Sequence, residues 1–223
     1  MHATTIESQE FIAAMRDRQE VYALLARLFG KEVDAELFDA LRSGDVLVGE
    51  DDGWYGAFGL MRGYLASPEA SVLDLARDYA KAFCGAGSTK RNSAYPFESV
   101  YTSENGMLMQ EARDEAMAWY RRFGLAKSET WHDCEDHVAL EFEFMGYLIG
   151  RTIEAEEQGD AARVQELLAA QCDFATEHLA NWVPHFAWDV DHKASTDFYR
   201  GLARFASQYV KLDAAALADV LAA

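Results

Sequence analysis

The chain is poor in the residues that staple, break or anchor a fold. Three cysteines stand in 223 residues: Cys84, Cys134 and Cys172, with no C-x-x-C spacing among them. An odd, scattered set excludes a disulfide framework or zinc knuckle and suits a reducing compartment. Prolines are equally few, at 68, 96 and 184, so long uninterrupted elements are permitted. No apolar run approaches the roughly 18 residues of a membrane span, and no basic segment followed by an apolar one opens the chain, so no signal peptide is expected. Cations are also scarce. Lys plus Arg is 20 against 38 Asp plus Glu, a net charge of −18. Such a field repels phosphate backbones and anionic membrane surfaces, and attracts cationic partners at low salt. A cytoplasmic location, with neither nucleic acid nor direct membrane insertion, is expected.

What is present is helical periodicity. Phe11, Met15, Tyr22, Leu25 and Phe29 share one face, behind a capping box at Thr4-Thr5-Ile6-Glu7. Shorter helices are expected around Leu37–Leu41 and Phe58–Leu65. Ser67-Pro68-Glu69 reads as the start of a helix whose buried face is Val72, Leu75, Tyr79 and Phe83. A helix carrying Leu108, Ala112, Trp119 and Phe123 follows, ending at Gly124. Asp133 or Glu135 opens the next, through Val138, Phe142, Met145 and Ile149. Gly159-Asp160 is a turn and cap. Asn181 to Asp191 is expected as a connector, and Asp213 as the cap of a last short helix. Only Asp45-Val-Leu-Val-Gly49 alternates as a strand would, and it is too short to build a sheet. No repeat or linker divides the chain, so residues 1–223 are expected as one all-α domain, a single helical bundle.

The unusual stretch is Ser93-Ala-Tyr-Pro-Phe-Glu-Ser-Val-Tyr101, which puts three rings and a carboxylate around a proline. Pro96 biases it away from helix. Loops normally run through water, so these rings either fold into the core or form a platform for a ligand. A second cluster is Asp136-His137 with Glu141. Four residues separate His137 from Glu141, placing both on one side of a helix. They suit a metal pair, an acid/base pair or an ordinary helix salt bridge. A helical metalloenzyme using this His/carboxylate pair is therefore the alternative to a binding protein. No Walker loop, GxGxxG, GxSxG or HExxH occurs. His178, His185 and His192 read as surface or packing residues, and Trp182 and Phe186 as staples holding the connector to the core.

Four stretches, in order, resemble the TorD/DmsD/NarJ family of molybdoenzyme-maturation chaperones: Asp78-Tyr-Ala-Lys-Ala-Phe-Cys-Gly85, the Tyr95–Tyr101 loop, Glu135-Asp-His-Val138, and His178-Leu-Ala-Asn-Trp-Val-Pro-His-Phe186 with the Phe-Tyr helix after it. The resemblance implies a TorD-type helical bundle that is not an enzyme and needs no cofactor of its own. It implies a chaperone that binds the twin-arginine signal peptide, or N-terminal region, of the apo-form of a molybdopterin oxidoreductase until the molybdenum cofactor is inserted. Homodimer formation is left open.

Such a leader pairs guanidinium groups with an apolar stretch, so its receptor needs carboxylates and rings. On this reading Tyr95, Phe97 and Tyr101 supply rings, Pro96 shapes them and Glu98 supplies a carboxylate. Ser99 shapes the loop by its hydroxyl. Asp136, which orients the loop or accepts from arginine, faces it with His137 and Glu141, while Tyr79 and Phe83 are either floor or core. Lys90 and Arg91 would oppose a cationic ligand if they faced the groove. Asp136→Ala or Glu98→Ala is expected to weaken peptide binding with melting nearly intact.

Overall fold

The computed structural model describes residues 2–44, 56–86 and 93–222, with side chains from residue 6 onward. The Val46–Val48 alternation and the Lys90–Arg91 pair lie outside the described residues. Among the described residues every regular element is helical, in the order α1 (His2–Gly30), α2 (Ala35–Ser43), α3 (Ala57–Ala66), α4 (Val72–Ala82), α5 (Glu98–Thr102), α6 (Glu111–Arg122), α7 (Val138–Glu157), α8 (Ala161–Phe174), a π-helical turn (Ala175–Leu179), α9 (Val183–Lys193) and α10 (Asp197–Ala222). None of these is long and apolar enough to cross a membrane.

Helices α2, α4 and α8 start behind side-chain oxygens that satisfy otherwise orphaned N–H groups. Asp34 accepts from Leu37 N at 3.0 Å and Asp160 from Arg163 N at 3.0 Å. Several boundaries differ from the sequence expectation. Helix α1 begins at His2, ahead of the expected Thr4–Glu7 box. Ser67 closes α3 instead of opening α4, whose cap is Ser71. Ser71 Oγ accepts from Asp74 N at 3.1 Å and donates to Asp74 Oδ2 at 2.7 Å, so the cap forms at the serine with a carboxylate three residues on, whereas that position after Ser67 is Ala70. Leu108 precedes α6 and is exposed. His137 caps α7, in place of Asp133 or Glu135. The expected connector around Pro184 is helix α9, because proline in a first turn loses no intrahelical bond. Finally, α10 runs unbroken through Asp213.

Helix α1 packs along α7, and α10 lies against α3, α8 and α9. Between them sits an aromatic core in which Phe29 meets Phe83, Phe142 and Phe186 at centroid separations of 5.3–6.2 Å. Burying such a side chain is worth roughly 1.5–3 kcal/mol. At Gly201 a Cβ would lie 2.5 Å from Ala57 O and 2.7 Å from Met61 Cγ, so α3 and α10 approach as closely as they do only because the side chain is a hydrogen. Asp213 is a buried polar knot: it accepts from Arg18 at 2.7 and 2.9 Å and from Tyr22 OH at 2.7 Å. Arg18 also donates to Gln171, and Gln171 to Thr152. One chain of hydrogen bonds thus spans α1, α10, α8 and α7. Asp78 does similar work for the far end, accepting from Ser195 N, Thr196 N and Thr196 Oγ1 at 2.7–2.8 Å where α10 begins.

Candidate functional site

The irregular segment after α4 is held by its backbone. Ala94 N donates to Ala82 O at 2.7 Å and Phe97 N to Tyr95 O at 2.9 Å. Phe97 and His137 then form a two-residue antiparallel bridge. Glu98 N donates to Asp136 O at 3.0 Å and Val138 N to Pro96 O at 2.9 Å. Pro96, which has no N–H to give, still contributes its carbonyl. The two stretches singled out in the sequence, 95–101 and 136–141, are therefore one unit.

The side chains complete it. Asp136 Oδ2 accepts from Ser99 N at 2.9 Å and so caps the short helix α5. Ser99 Oγ accepts from Gln110 N at 3.1 Å, tying the far end of the following loop back to α5. His137 Nδ1 accepts from Ala139 N at 3.1 Å, which puts the ring proton on Nε2. Its ring meets Phe97 and Trp131 edge-on, both at 5.0 Å. Burial pulls the His137 pKa down to about 3, so the ring is neutral. Glu98 Oε2 lies 2.9 Å from His178 Nδ1, and Glu141 Oε2 accepts from Trp182 Nε1 at 3.0 Å.

Three carboxyl groups share this interior. Burial pushes Glu141 well above the usual carboxylate range, and the charges of Glu98 and Asp136 add to the shift. Glu98 is raised by burial, with His178 opposing. As a carboxylate Glu141 would leave Oε1 without a donor. Protonated, it becomes a donor within reach of Glu98. Two like charges held that close in a low-dielectric interior resolve by keeping a proton.

These placements correct the expected site. Glu98, Ser99, Asp136, His137 and Glu141 are joined, but all are buried: Asp136 and Glu141 are 0% exposed and Glu98 is 2%. Of the two roles offered for Asp136, orienting the loop is the one its geometry performs. The rings form no open platform. Phe97 is buried on His137, while Tyr101 is half-buried, stacked on Trp182 at 5.5 Å and 3.3 Å from Asp189 Oδ2. Tyr95 is half-buried, and Pro96 is buried. Tyr79 and Phe83 belong to the core: Tyr79 OH donates to Phe29 O at 2.8 Å, and both rings pack on Tyr199. The segment is also not all loop, since Glu98–Thr102 is helical.

The metalloenzyme alternative fails on the same geometry. His137 Nδ1 is occupied by Ala139 N, and Glu141 Oε2 by Trp182. Among the described residues no three His, Cys, Asp or Glu side chains are arranged to hold a metal ion.

Sequence reasoning missed His178 as the partner of Glu98. Its spacing of four from Trp182 was the available signal, since both residues close the same buried acid cluster. A second missed group is Glu135, which pairs with Arg113 at 2.5 Å and Lys127 at 3.1 Å. Burial works to raise its pKa, yet these cations hold it at about 2. Next to the buried unit opens a cleft of about 460 Å³, lined by Glu98, Glu104, Glu111, Glu115 and Glu177 among others, with no Lys or Arg in its lining.

The comparisons with known proteins agree with this architecture. The sequence model of the family described as nitrate reductase delta subunit matches residues 50–187. The chaperone protein TorD of Photobacterium profundum is 30% identical over 218 residues, covering 94% of this chain and 98% of the relative. TorD of Vibrio vulnificus strain YJ016 is 28% identical, covering 92% and 96%. Among solved structures, a protein of Archaeoglobus fulgidus described as a redox enzyme maturation protein superposes with a TM-score of 0.50 at 16% identity, covering 87% of this chain and 93% of that one. The chain therefore belongs to the TorD-like family of molybdoenzyme-maturation chaperones, which are not enzymes.

Proposed function

We propose that this chaperone binds, in the cytoplasm, the twin-arginine signal peptide or N-terminal region of the apo-form of a molybdenum-cofactor-containing oxidoreductase, and holds it until the cofactor is inserted. The observation that carries this reading is the fusion of the 95–101 segment with the start of α7 through the Phe97–His137 bridge and the Asp136 cap on Ser99. It gives the acidic, ring-bearing region a fixed shape before any ligand arrives, which lowers the ordering cost of binding. In this proposal Pro96, Phe97, Glu98, Ser99, Asp136, His137 and Glu141 set the geometry from within. Tyr79 and Phe83 support it from the core, and the half-buried Tyr95 and Tyr101 meet the peptide's apolar stretch. The net charge of −18 steers an arginine-bearing segment toward the protein.

The test is calorimetric titration with a twin-arginine leader peptide and its Lys-Lys counterpart. A dissociation constant near 1 μM, about −8 kcal/mol, is expected for the arginine form, with weaker binding of the lysine form because only guanidinium offers a bidentate fork. Equal binding of both, or no binding to several unrelated leaders and client N-terminal regions, would refute it.

A further inference from the structure

The loop between α5 and α6 carries Met107, Leu108 and Met109, exposed by 51%, 43% and 64%. Nowhere else among the described residues do three large apolar side chains in succession face solvent. They are not there by slackness. Gly106 and Met109 both take left-handed backbone angles, φ 58° and 59°, a conformation that side-chain-bearing residues seldom adopt. Met107 N donates to Ser103 Oγ at 3.1 Å, and Gln110 Nε2 to Leu108 O at 2.8 Å. Gln110 N is bound in turn to Ser99 of the buried unit. The tip is braced by these bonds, with Met109 held at an angle unusual for a side-chain-bearing residue. Two methionines in three positions provide a soft, adaptable apolar surface, suited to sequences that vary in detail.

Both flanks of this loop, Thr102–Asn105 and Gln110–Ala112, line the glutamate cleft. Opposite them stands the π-helical turn, where Glu177 borders the cleft and His178 holds Glu98 from behind. Turns of this kind recur at functional sites. Glu104, Glu111, Glu115 and Glu177 form no ion pair among the described residues, in contrast to Glu135, which is saturated by Arg113 and Lys127. Apolar display and unpaired carboxylates thus adjoin.

We propose that this tip and the cleft under it are the docking surface for the leader itself: guanidinium groups enter among Glu104, Glu111, Glu115 and Glu177, and the apolar run that follows lies on Met107, Leu108 and Met109. The assignment rests on the leader-binding reading above and deepens it. This rim joins the half-buried Tyr95 and Tyr101 in direct contact, and the buried unit is the scaffold that fixes the rim through Ser99. The occupant is fixed by charge complementarity. A purely apolar helix would leave the carboxylates unpaired, and a purely cationic segment would leave the tip in water.

The experiment uses the full chain and a fluorescent peptide in which Arg-Arg precedes about ten apolar residues, titrated at low and high salt. One variant combines Met107→Ser, Leu108→Ser and Met109→Ser; a second combines Glu111→Gln, Glu115→Gln and Glu177→Gln. Both alter exposed or rim positions, and unchanged melting confirms that they fold. The first is expected to bind at least about tenfold more weakly at either salt concentration. The second is expected to lose about tenfold at low salt and most of the salt dependence. If wild type binds and both variants bind within about twofold of it, the docking assignment is overturned and the chaperone reading stands. If wild type binds no arginine-bearing leader, the leader reading itself falls and takes this assignment with it.

Discussion

Replacing Asp136 with alanine tests whether the acid at the head of α7 is scaffold or contact. The sequence alone suggests a loss of binding with melting nearly intact; the structure reverses the second half of that expectation. Asp136 is fully buried, and its Oδ2 is the acceptor for Ser99 N at 2.9 Å. Removing it strands a buried N–H, which costs about 1–3 kcal/mol, and leaves a carboxyl-sized gap. Part of that is offset, because the Asp136 charge opposes ionisation of both Glu98 and Glu141 and its removal relieves them. A net loss of about 2 kcal/mol is the middle of the range, or about 4–8 °C in Tm for a chain of this length. Asp136→Asn keeps an acceptor and should lose about half as much. The assay is thermal and urea unfolding by circular dichroism, run beside peptide titration at a temperature where both variants are folded. Peptide affinity should fall in step with stability, alanine below asparagine. An Asp136→Ala protein that melts like wild type yet no longer binds peptide would refute the scaffold role.

Further predictions concern the other buried groups. Glu141, raised in the folded state, contributes stability that is full below its ordinary value of 4.5 and is lost as pH rises, by about 1.4 kcal/mol per pH unit. Glu141→Gln keeps the acceptor for Trp182 and should remove that decline in urea midpoints; an unchanged slope would show that the carboxyl ionises normally. His137 works in the opposite sense: its folded pKa of about 3 lies under the ordinary 6.5, so its contribution is complete above 6.5 and is lost as pH falls toward 3. His137→Asn retains an acceptor for Ala139 N and should flatten this acid arm. Between about 4.5 and 6.5 the two slopes oppose each other, so each variant should expose the other's. Gly201→Ala should destabilise by about 1–3 kcal/mol through overpacking of α3 on α10, read as a lower urea midpoint; a neutral result would mean those helices can part without loss.

Much of the bundle was legible in the chain. The apolar stripe from Met15 to Phe29 and the one from Val138 to Ile153 lie where helical spacing puts them, because side chains three and four apart share a face whatever packs on it. Boundaries were less legible wherever two local signals competed. Ser67 reads as a cap, yet the serine four residues on, with Asp74 three residues beyond it, is the one that bonds the first turn of α4. Pro184 reads equally as a break or as a first turn. Asp213 has the chemistry of a cap, yet Arg18 and Tyr22, nearly two hundred residues away, draw it into a continuous helix.

The order of residues alone determined that most of these segments are helical, that the chain is strongly acidic, and that the 95–101 stretch and the start of α7 are its unusual places. Those properties depend on neighbours within a turn or on simple sums. Only the tertiary structure decided that the two places join into one unit, that Glu98 answers to His178 and Glu141 to Trp182, and that the acids meant for a ligand are instead sealed inside. Burial and hydrogen-bond partnership are set by groups 37 to 80 residues apart, and no local pattern records which of them will meet.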